Sequence, residues 1–231
     1  MTMWQRFFSK ETQRKRALSR AAPGAMQDYL SVPFADNKSD WREAEIVALD
    51  LETTGLDPKK DHILSFGLVH LQHNTIHLGT AWHEIVQIEE QVPESSAVIH
   101  HITDDASAAG RPLEELLPKL LLRLAGKVIL VHYKNIEQNF IDAACRKLYG
   151  TPFIIPIIDT LPIALRLLQL RNHTIQPGNL RLFNLRPHFG LPHYKAHHAL
   201  YDALATAELF LAMAAEMAPN GNYKIGDFIN A

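Results

Sequence analysis

The fold is decided by residues 46–58, which read IVALDLETTGLDP. The apolar residues 46–49 are typical of a buried strand, and the polar, glycine-containing residues 50–57 predict a loop after it. Alternate side chains of an extended chain share a face, so Asp50 and Glu52 project the same way, with Cα atoms roughly 7 Å apart. No lysine or arginine lies in this stretch to compensate the two carboxylates. On this spacing alone, the pair is either a cation site or a carboxylate pair exposed in a loop.

If the pair does bind a cation, its oxygen ligands indicate which one. Hard carboxylate oxygens favour Mg or Mn over zinc, whose protein sites usually include His or Cys. The sequence therefore predicts a divalent, magnesium-type ion at the end of the first strand.

Outward from this strand, the chain alternates strands and helices. Residues 63–71 and 75–79 predict a hairpin, residues 127–131 and 153–158 predict further strands, and helices are predicted at 112–124, 135–148, 161–170 and 199–217. The connection between the last two helices contains Pro and His and gives no clear pattern. A leading hairpin followed by alternating elements predicts an α/β fold, with helices on both faces of a mixed sheet.

Length, composition and charge limit which classes of protein the sequence can encode. The chain has 231 residues, 47% of them hydrophobic, enough for one core with an appendage. Its apolar stretches are too short to span a membrane, and the lone Cys145, without a cleavable apolar leader, favours the cytoplasm. A formal charge of −2 gives no preference for long duplexes, although an enzyme that grips only a strand end needs few phosphate contacts.

Three segments are predicted: a basic N-terminal extension and linker at 1–44, a catalytic domain at 45–218, and a C-terminal tail at 219–231. Residues 1–20 carry six Lys and Arg against one Glu, with Trp4, Phe7 and Phe8 among them. This composition predicts a basic amphipathic helix that packs on the domain or contacts nucleic acid or a protein partner. A solvated extension and a targeting peptide remain alternatives, and residues 25–44 are interpreted as a connecting arm.

Three motifs then follow in order. Residues 50–58 resemble the first motif of the DEDD exonuclease superfamily. His132 follows a strand, and the fifth position after it is Glu137, where the second motif places an aspartate. Residues 197–203, HHALYDA, resemble the third motif, His-x-Ala-x-x-Asp-Ala. Three ordered matches are far more specific than one, so the chain resembles the subgroup with a histidine base, DEDDh.

Within that superfamily, the pattern is nearest to the epsilon proofreading subunit of bacterial DNA polymerase III. The resemblance implies a ribonuclease-H-like fold with a central five-stranded sheet, and hydrolysis from 3' ends with two divalent cations, Mg or Mn. The implied metal ligands are Asp50, Glu52, Glu137 and Asp202, with His197 as general base and Thr53, Thr54, Leu56 and His132 at the terminal nucleotide.

His197 can face the same site as Asp202, five residues later, only if it lies in the loop before the helix. Asp159 begins an Asp-Thr-Leu segment that resembles the family's strand-to-helix junction, and it is interpreted as a helix cap. His100 and His101 precede Ile102 and Thr103 and look like a family His-Gly-Ile-Thr segment that shapes the substrate cleft.

Glu137 departs from the usual aspartate by one methylene, which matters because Mg demands near-octahedral geometry. We expect Glu137 to be a ligand, because it keeps the charge and the donor atoms. The alternative is an exposed helix residue paired with Lys134 or Arg146, in a weakened or inactive enzyme. Asp142 is the other available carboxylate, but a helix would rotate it away by roughly 140°.

The substrate is less determined than the chemistry. Single-stranded DNA 3' ends are favoured, whereas RNA or oligoribonucleotide ends remain open, because no short motif reports a contact to the 2' hydroxyl. Two further alternatives are a catalytically weak DEDD binding module and a polymerase-associated subunit that uses residues 1–44 for contact.

Overall fold

The computed structural model describes residues 9–91, 93–100, 102–218 and 223–231. Its strands are β1 (Ile46–Thr53), β2 (Ile63–Gln72), β3 (Thr75–Ile85), β4 (Val128–Val131) and β5 (Ile157–Asp159). Its helices are α1 (Lys10–Leu18), α2 (Ala25–Ser31), α3 (Glu94–His100), α4 (Asp104–Ala108), α5 (Leu113–Leu124), α6 (Asn135–Tyr149), α7 (Thr160–Leu170), α8 (Leu182–Leu185), α9 (Ala199–Met217) and α10 (Ile225–Ile229), with a 3-10 turn at Arg186–Phe189. Trp4, Phe7, Phe8 and His101 lie outside the described residues.

The strands form one five-stranded sheet in the order β3-β2-β1-β4-β5. β1, β2 and β3 pair antiparallel, whereas β4 and β5 continue the sheet from β1 in parallel. The predicted hairpin, mixed sheet and α/β class are therefore confirmed. Because parallel strands end at the same edge, the residues that follow β1, β4 and β5 meet there.

Helices cover both faces of the sheet, and β1 shows why. Val47, Leu49 and Leu51 face one core with α2, α5 and α6, whereas Ile46 and Ala48 face a second core with α7, α9 and α10. Strand alternation then places Asp50 and Glu52 on the α9 face. In the part of the chain that the structure describes, no helix is both long and apolar enough to cross a membrane.

Several predicted boundaries differ from the structure. β1 continues through Thr53, so the two acidic residues belong to the strand and not to a loop. β3 runs to Ile85, well beyond the predicted residue 79. β5 is only three residues long, and residues 153–155 before it are buried in the first core. Helices α3 and α4 were not predicted, and α8 occupies the ambiguous connection.

The flanks are part of the folded body, which corrects the interpretation of residues 25–44 as a mere arm. Met26, Tyr29 and Leu30 of α2 are buried in the first core, and the Tyr29 hydroxyl donates to the Ile154 carbonyl at 2.7 Å. Ile225 and Phe228 of α10 are buried in the second core. Residues near both termini thus contribute apolar burial, while the three segment boundaries remain predictions.

Candidate metal centre

β1 carries the first two acidic residues beyond the end of its parallel neighbour. β1 pairs with β4 only from Ile46 to Ala48, so Asp50 and Glu52 lie past the last paired residue of that ladder. Across the sheet on the other side, Asp50 stands opposite Gly67 of β2. A Cβ on Gly67 would lie 2.1 Å from the Ala199 carbonyl carbon. Glycine at this position therefore lets the N-terminus of α9 approach the strand that carries Asp50.

α9 brings in the third acidic residue, Asp202, on its first turn. The Asp202 Oδ2 atom accepts the backbone N–H of His197 at 3.0 Å, and His197 has a left-handed φ of 69°. His197 thus lies in the loop before the helix, as its spacing from Asp202 required. Its side chain is exposed, and neither of its ring nitrogens is hydrogen-bonded to the described part of the chain.

The fourth acidic residue, Glu137, lies on the first turn of α6 and is only 3% exposed. This burial contradicts the alternative of an exposed helix residue, and Arg146 pairs instead with Asp142 at 2.6 Å. Asp142 also accepts the Phe153 backbone N–H, so it is turned away from the acidic cluster. Glu137 is the α6 carboxylate that faces the other acids.

Distances and unpartnered atoms both indicate a cation site. Asp50, Glu52 and Asp202 each offer a carboxylate oxygen, and these atoms lie within 4.8 Å of one another. Glu52 Oε1, Glu137 Oε2 and Asp202 Oδ1 are buried and lack a hydrogen-bond partner among the described atoms. Buried acceptors without donors are costly and therefore rare. No lysine or arginine within the described ranges pairs with any of the four acids, so hard divalent cations such as Mg or Mn fit the set.

The acids raise one another's proton affinity. Burial raises the pKa of Glu137 to about 8, with the Asp159 and Glu52 charges adding to the shift. Burial likewise raises the pKa of Asp202 to about 7. For Asp50 the pKa lies well above its ordinary value, first because of desolvation and then because of its three acidic neighbours. Such mutual repulsion is what a bound cation relieves.

The loop after β1 is held by its own hydroxyls. Thr53 Oγ1 donates to the Gly55 carbonyl at 2.7 Å, and Thr54 Oγ1 accepts the His62 backbone N–H at 2.9 Å. These two threonines therefore fix the loop, while Leu56 at its tip is 80% exposed. The contact of these residues with a nucleotide stays a prediction, and Leu56 is the one with a free apolar surface.

His132 is placed differently from the nucleotide contact that the resemblance implied. Its Nδ1 is paired with Thr160 Oγ1 and its Nε2 with the Leu180 carbonyl, both at 2.8 Å. With both ring nitrogens used inside the protein, His132 ties the end of β4 to α7 and to the connection before α8. His132 therefore has a structural role, and its expected contact with the terminal nucleotide stays a prediction that does not involve its ring nitrogens.

The prediction that Asp159 is a helix cap is confirmed, and its carboxylate accepts further hydrogen bonds. It accepts the Leu161 backbone N–H at 3.0 Å as the N-cap of α7. It also accepts the backbone N–H groups of Tyr133 and Lys134, at 2.9 and 3.1 Å. By holding this turn, Asp159 fixes the start of α6 and thereby the position of Glu137.

Two features of the site were not assigned from the sequence. His100, at the end of α3, has its Nδ1 atom against Glu52 Oε2, and its ring centroid lies 5.8 Å from that of His197. A row of stacked rings, His83, His198 and Tyr201, also lies beside the cluster, with centroid spacings of 4.4 and 4.3 Å. The only sequence signals were the His100 segment and the position of His198 and Tyr201 inside the third motif.

Comparison with known proteins places this geometry in context. A family model described as Exonuclease (RNase_T) matches residues 47–210. A PolC-type DNA polymerase III from Thermotoga petrophila is 32% identical over 192 residues, which cover 83% of this chain and 13% of the polymerase. The chain thus spans about an eighth of the length of that relative.

Solved structures share the fold. A zinc-bound complex of E. coli exonuclease I with single-stranded DNA superposes with a TM-score of 0.65 at 19% identity, covering 78% of this chain and 42% of that one. Exonuclease X in complex with 5' overhanging duplex DNA gives 0.59 at 19% identity, covering 80% and 99%. The expected ribonuclease-H-like exonuclease fold is therefore confirmed.

Proposed function

The chain belongs to the exonuclease family whose model spans residues 47–210, and from that premise we propose that it is a metal-dependent 3'-to-5' exonuclease. It releases nucleoside 5'-monophosphates from nucleic-acid ends, with single-stranded DNA as the favoured substrate. Asp50, Glu52, Glu137 and Asp202 hold two divalent cations, Mg or Mn, and His197 is the general base.

One observation carries this proposal: buried carboxylate oxygens of Glu52, Glu137 and Asp202 lack hydrogen-bond partners among the described atoms. A purely structural cluster of acids would be matched by donors or cations from the chain. β1, α6 and α9 instead carry these oxygens without any such partner among the described atoms, and Glu52 and Asp202 belong to the group whose ligand atoms lie within 4.8 Å of one another. The carboxylate oxygens match the ligands that hard divalent cations prefer. Without a cation, the buried oxygens have no partner among the described atoms.

When bound, the cations would activate water and stabilise charge on the leaving 3' oxygen. The chain's own groups supply the rest. The His197 ring takes a proton from the attacking water, a task suited to histidine because an imidazole titrates near neutrality. Asp202 holds the His197 backbone at 3.0 Å and so keeps the ring at the mouth of the site. Asp50 and Glu52 sit on a paired strand, so their positions are fixed before substrate arrives.

Single-stranded ends are supported by the exposed ring of Tyr201, which is 52% exposed at the outer end of the His83, His198 and Tyr201 row. Exposed aromatic rings of this kind are the stacking platforms of proteins that bind single strands. The solved relative exonuclease I holds single-stranded DNA. RNA ends remain the alternative substrate, and competition between DNA and RNA 3' ends of matched sequence separates the two.

The activity test is hydrolysis of a 5'-labelled single-stranded DNA oligonucleotide with Mg or Mn. Wild type is expected to produce a ladder that shortens from the 3' end and disappears on chelation with EDTA. Asp50→Asn should remove the ladder, because it removes a charged ligand without changing side-chain size. Glu114→Gln is the matched control, since Glu114 is an exposed acid on α5.

The outcomes decide between the proposal and the binding-module alternative. No ladder from DNA or RNA with either metal would favour a module that binds without cutting. A ladder that persists in Asp50→Asn would show that hydrolysis does not depend on this cluster. In either case the proposed mechanism would be wrong.

Proofreading within a polymerase is the second candidate, and the similarity to a PolC-type polymerase favours it. Co-elution of the purified chain with a replicative polymerase on gel filtration would support this function. Separate elution at micromolar concentrations would favour an enzyme that acts alone.

A further inference from the structure

A second group of potential ligands overlaps the acidic cluster. Glu52, His100 and His197 each offer one ligand atom, and these three atoms lie within 4.8 Å of one another. They come from three separate elements: β1, the last residue of α3 and the loop before α9. The group shares Glu52 with the all-carboxylate set but replaces the other acids with two imidazoles.

Two side chains of this group are buried, and one of their polar atoms lacks a partner. Glu52 Oε1 has no hydrogen-bond partner among the described atoms. The side chains of His100 and Glu52 are only 15% and 6% exposed. His100 Nδ1 lies against Glu52 Oε2, so a cation bound here would replace that contact and would also give Glu52 Oε1 a partner.

The surrounding structure holds two of the three ligands in place. α3 is tied to the loop after β1, because Ser96 Oγ donates to the Thr54 carbonyl at 2.9 Å. Ile102, which follows α3, packs against Leu64 in a small core of its own. The His197 side chain is exposed and can adjust. A tetrahedral site with bonds of about 2.0 to 2.1 Å therefore requires a small separation of His100 and Glu52, which are in direct contact, as well as movement of His197.

The chemistry of this group differs from that of the acidic cluster. Two imidazoles and one carboxylate are the ligand set of catalytic zinc sites that keep an open position. Nitrogen ligands favour zinc over magnesium, and divalent affinities rise steeply toward the end of the first transition row. The same pocket can thus select a borderline metal through a different subset of its residues.

We propose that Glu52, His100 and His197 form an inhibitory site for a zinc-type cation. A cation bound here would be coordinated by a ring nitrogen of His197, the general base, and by an oxygen of Glu52. Neither group would then be available for hydrolysis. The inhibitory role rests on the proposed exonuclease function, whereas binding of the metal does not.

Cobalt titration of the metal-free protein tests binding without any nuclease assay. Cobalt(II) with nitrogen ligands in a four-coordinate site absorbs strongly in the visible range, whereas six-coordinate oxygen sites absorb weakly. Wild type is expected to give the strong band, and zinc is expected to displace it. His100→Gln should lose the band and bind at least tenfold more weakly, while Asp50→Asn should keep it, because Asp50 belongs only to the acidic set.

Folding of both variants is checked by circular dichroism, and Glu52→Gln should lose the band as well. A band of equal strength in His100→Gln, or its loss in Asp50→Asn, would overturn the proposed ligand set.

A parallel nuclease assay separates the two proposals. Zinc added to the magnesium-supported reaction should inhibit wild type at tenfold or more lower concentration than His100→Gln, each compared with its own zinc-free rate. If the cobalt band depends on His100 but no hydrolysis occurs, the exonuclease proposal fails and the metal site stands. If hydrolysis occurs and no His100-dependent band forms, the metal site fails and the exonuclease proposal stands.

Discussion

Two buried ionic clusters lie along α9, and they are built in opposite ways. At its N-terminus, Asp202 joins Asp50, Glu52 and Glu137, and one buried oxygen each of Glu52, Glu137 and Asp202 lacks a donor among the described atoms. Two turns further on, Glu208 meets Arg186, whose side chain is fully buried. Arg186 Nη2 donates to Glu208 Oε2 at 2.7 Å, and Tyr194 Oη donates to Glu208 Oε1 at 2.8 Å.

The second cluster is satisfied in full. Arg186 also donates to the Pro192 and Ala205 carbonyls, and its guanidinium lies 4.4 Å from the centroid of the Tyr194 ring. The charge, the hydrogen bonds and the stacking contact of Arg186 are all matched by groups of the chain itself. This cluster therefore needs no bound ion or ligand. The comparison shows that a buried charge does not by itself indicate a functional site. A buried charge whose polar atoms lack a partner does.

The comparison is tested most strongly by Asp202→Asn. We expect hydrolysis to fall roughly a thousandfold, because losing a metal ligand removes several kcal/mol of transition-state stabilisation. At pH 8, the metal-free variant should melt a few degrees higher than wild type, because one buried like charge is gone. Steady-state hydrolysis and thermal melting with EDTA measure the two effects. A metal-free variant that melts lower than wild type would contradict the account of the acidic cluster.

In the cluster of Arg186 and Glu208, Arg186→Met should lower stability and leave catalysis nearly unchanged. The free energy of unfolding should fall by roughly 3 to 5 kcal/mol, because Glu208 is left without its buried partner. The rate per folded molecule should stay near that of wild type. Urea unfolding measures the first quantity, and Arg166→Met on the exposed side of α7 is the control, expected within about 0.5 kcal/mol. Loss of catalysis in folded Arg186→Met would remove the distinction between the clusters.

Tyr201 lies beside the acidic cluster and Tyr194 beside the cluster of Arg186 and Glu208. We expect Tyr201 to affect substrate binding and Tyr194 to affect stability. Tyr201→Ala removes an exposed ring, so KM for an oligonucleotide should rise by roughly five- to a hundredfold, in line with about 1 to 3 kcal/mol for stacking of one base. Its kcat and its melting temperature should change little. Tyr194→Phe should instead cost about 0.5 to 1.5 kcal/mol of stability and leave KM unchanged. Equal KM values for Tyr201→Ala and wild type would exclude the stacking surface.

A further expected effect is on pH dependence. Burial raises the pKa of Glu137 to about 8 and that of Asp202 to about 7, so the native state binds more protons than the unfolded chain between about pH 4 and those values. The stability of the metal-free protein should therefore fall as pH rises through this window. Added Mg should raise the melting temperature more at pH 8.5 than at pH 5.5. A matched titration of Glu137→Gln should show a weaker pH dependence; an identical one would place Glu137 outside the cluster.

The sequence predicted the sheet and most of the site because both depend on local patterns. The apolar run at residues 46–49 gave the strand, although its end was predicted too early. Alternation gave the shared face of Asp50 and Glu52, and the ordered motifs gave Glu137, His197 and Asp202. Glu137 could be chosen over Asp142 because helical periodicity separates their directions. These signals need no knowledge of distant contacts.

What could not be predicted depends on contacts between distant elements. The need for glycine at position 67 arises only when α9 crosses β2. His132 matched its motif, yet its ring is used by Thr160 and Leu180, which lie 28 and 48 residues away. His100 had only a partial motif, and its approach to Glu52 depends on how α3 packs. Helices α2 and α10 join the cores through residues with no strong periodicity of their own.

The most direct test of the central claim is a crystal of the protein soaked in Mn, with diffraction data collected at the manganese absorption edge. The account predicts anomalous peaks among the carboxylates of Asp50, Glu52 and Asp202, on the side that Glu137 faces. No peak at these residues, in crystals of a protein that still degrades DNA with Mn, would contradict it.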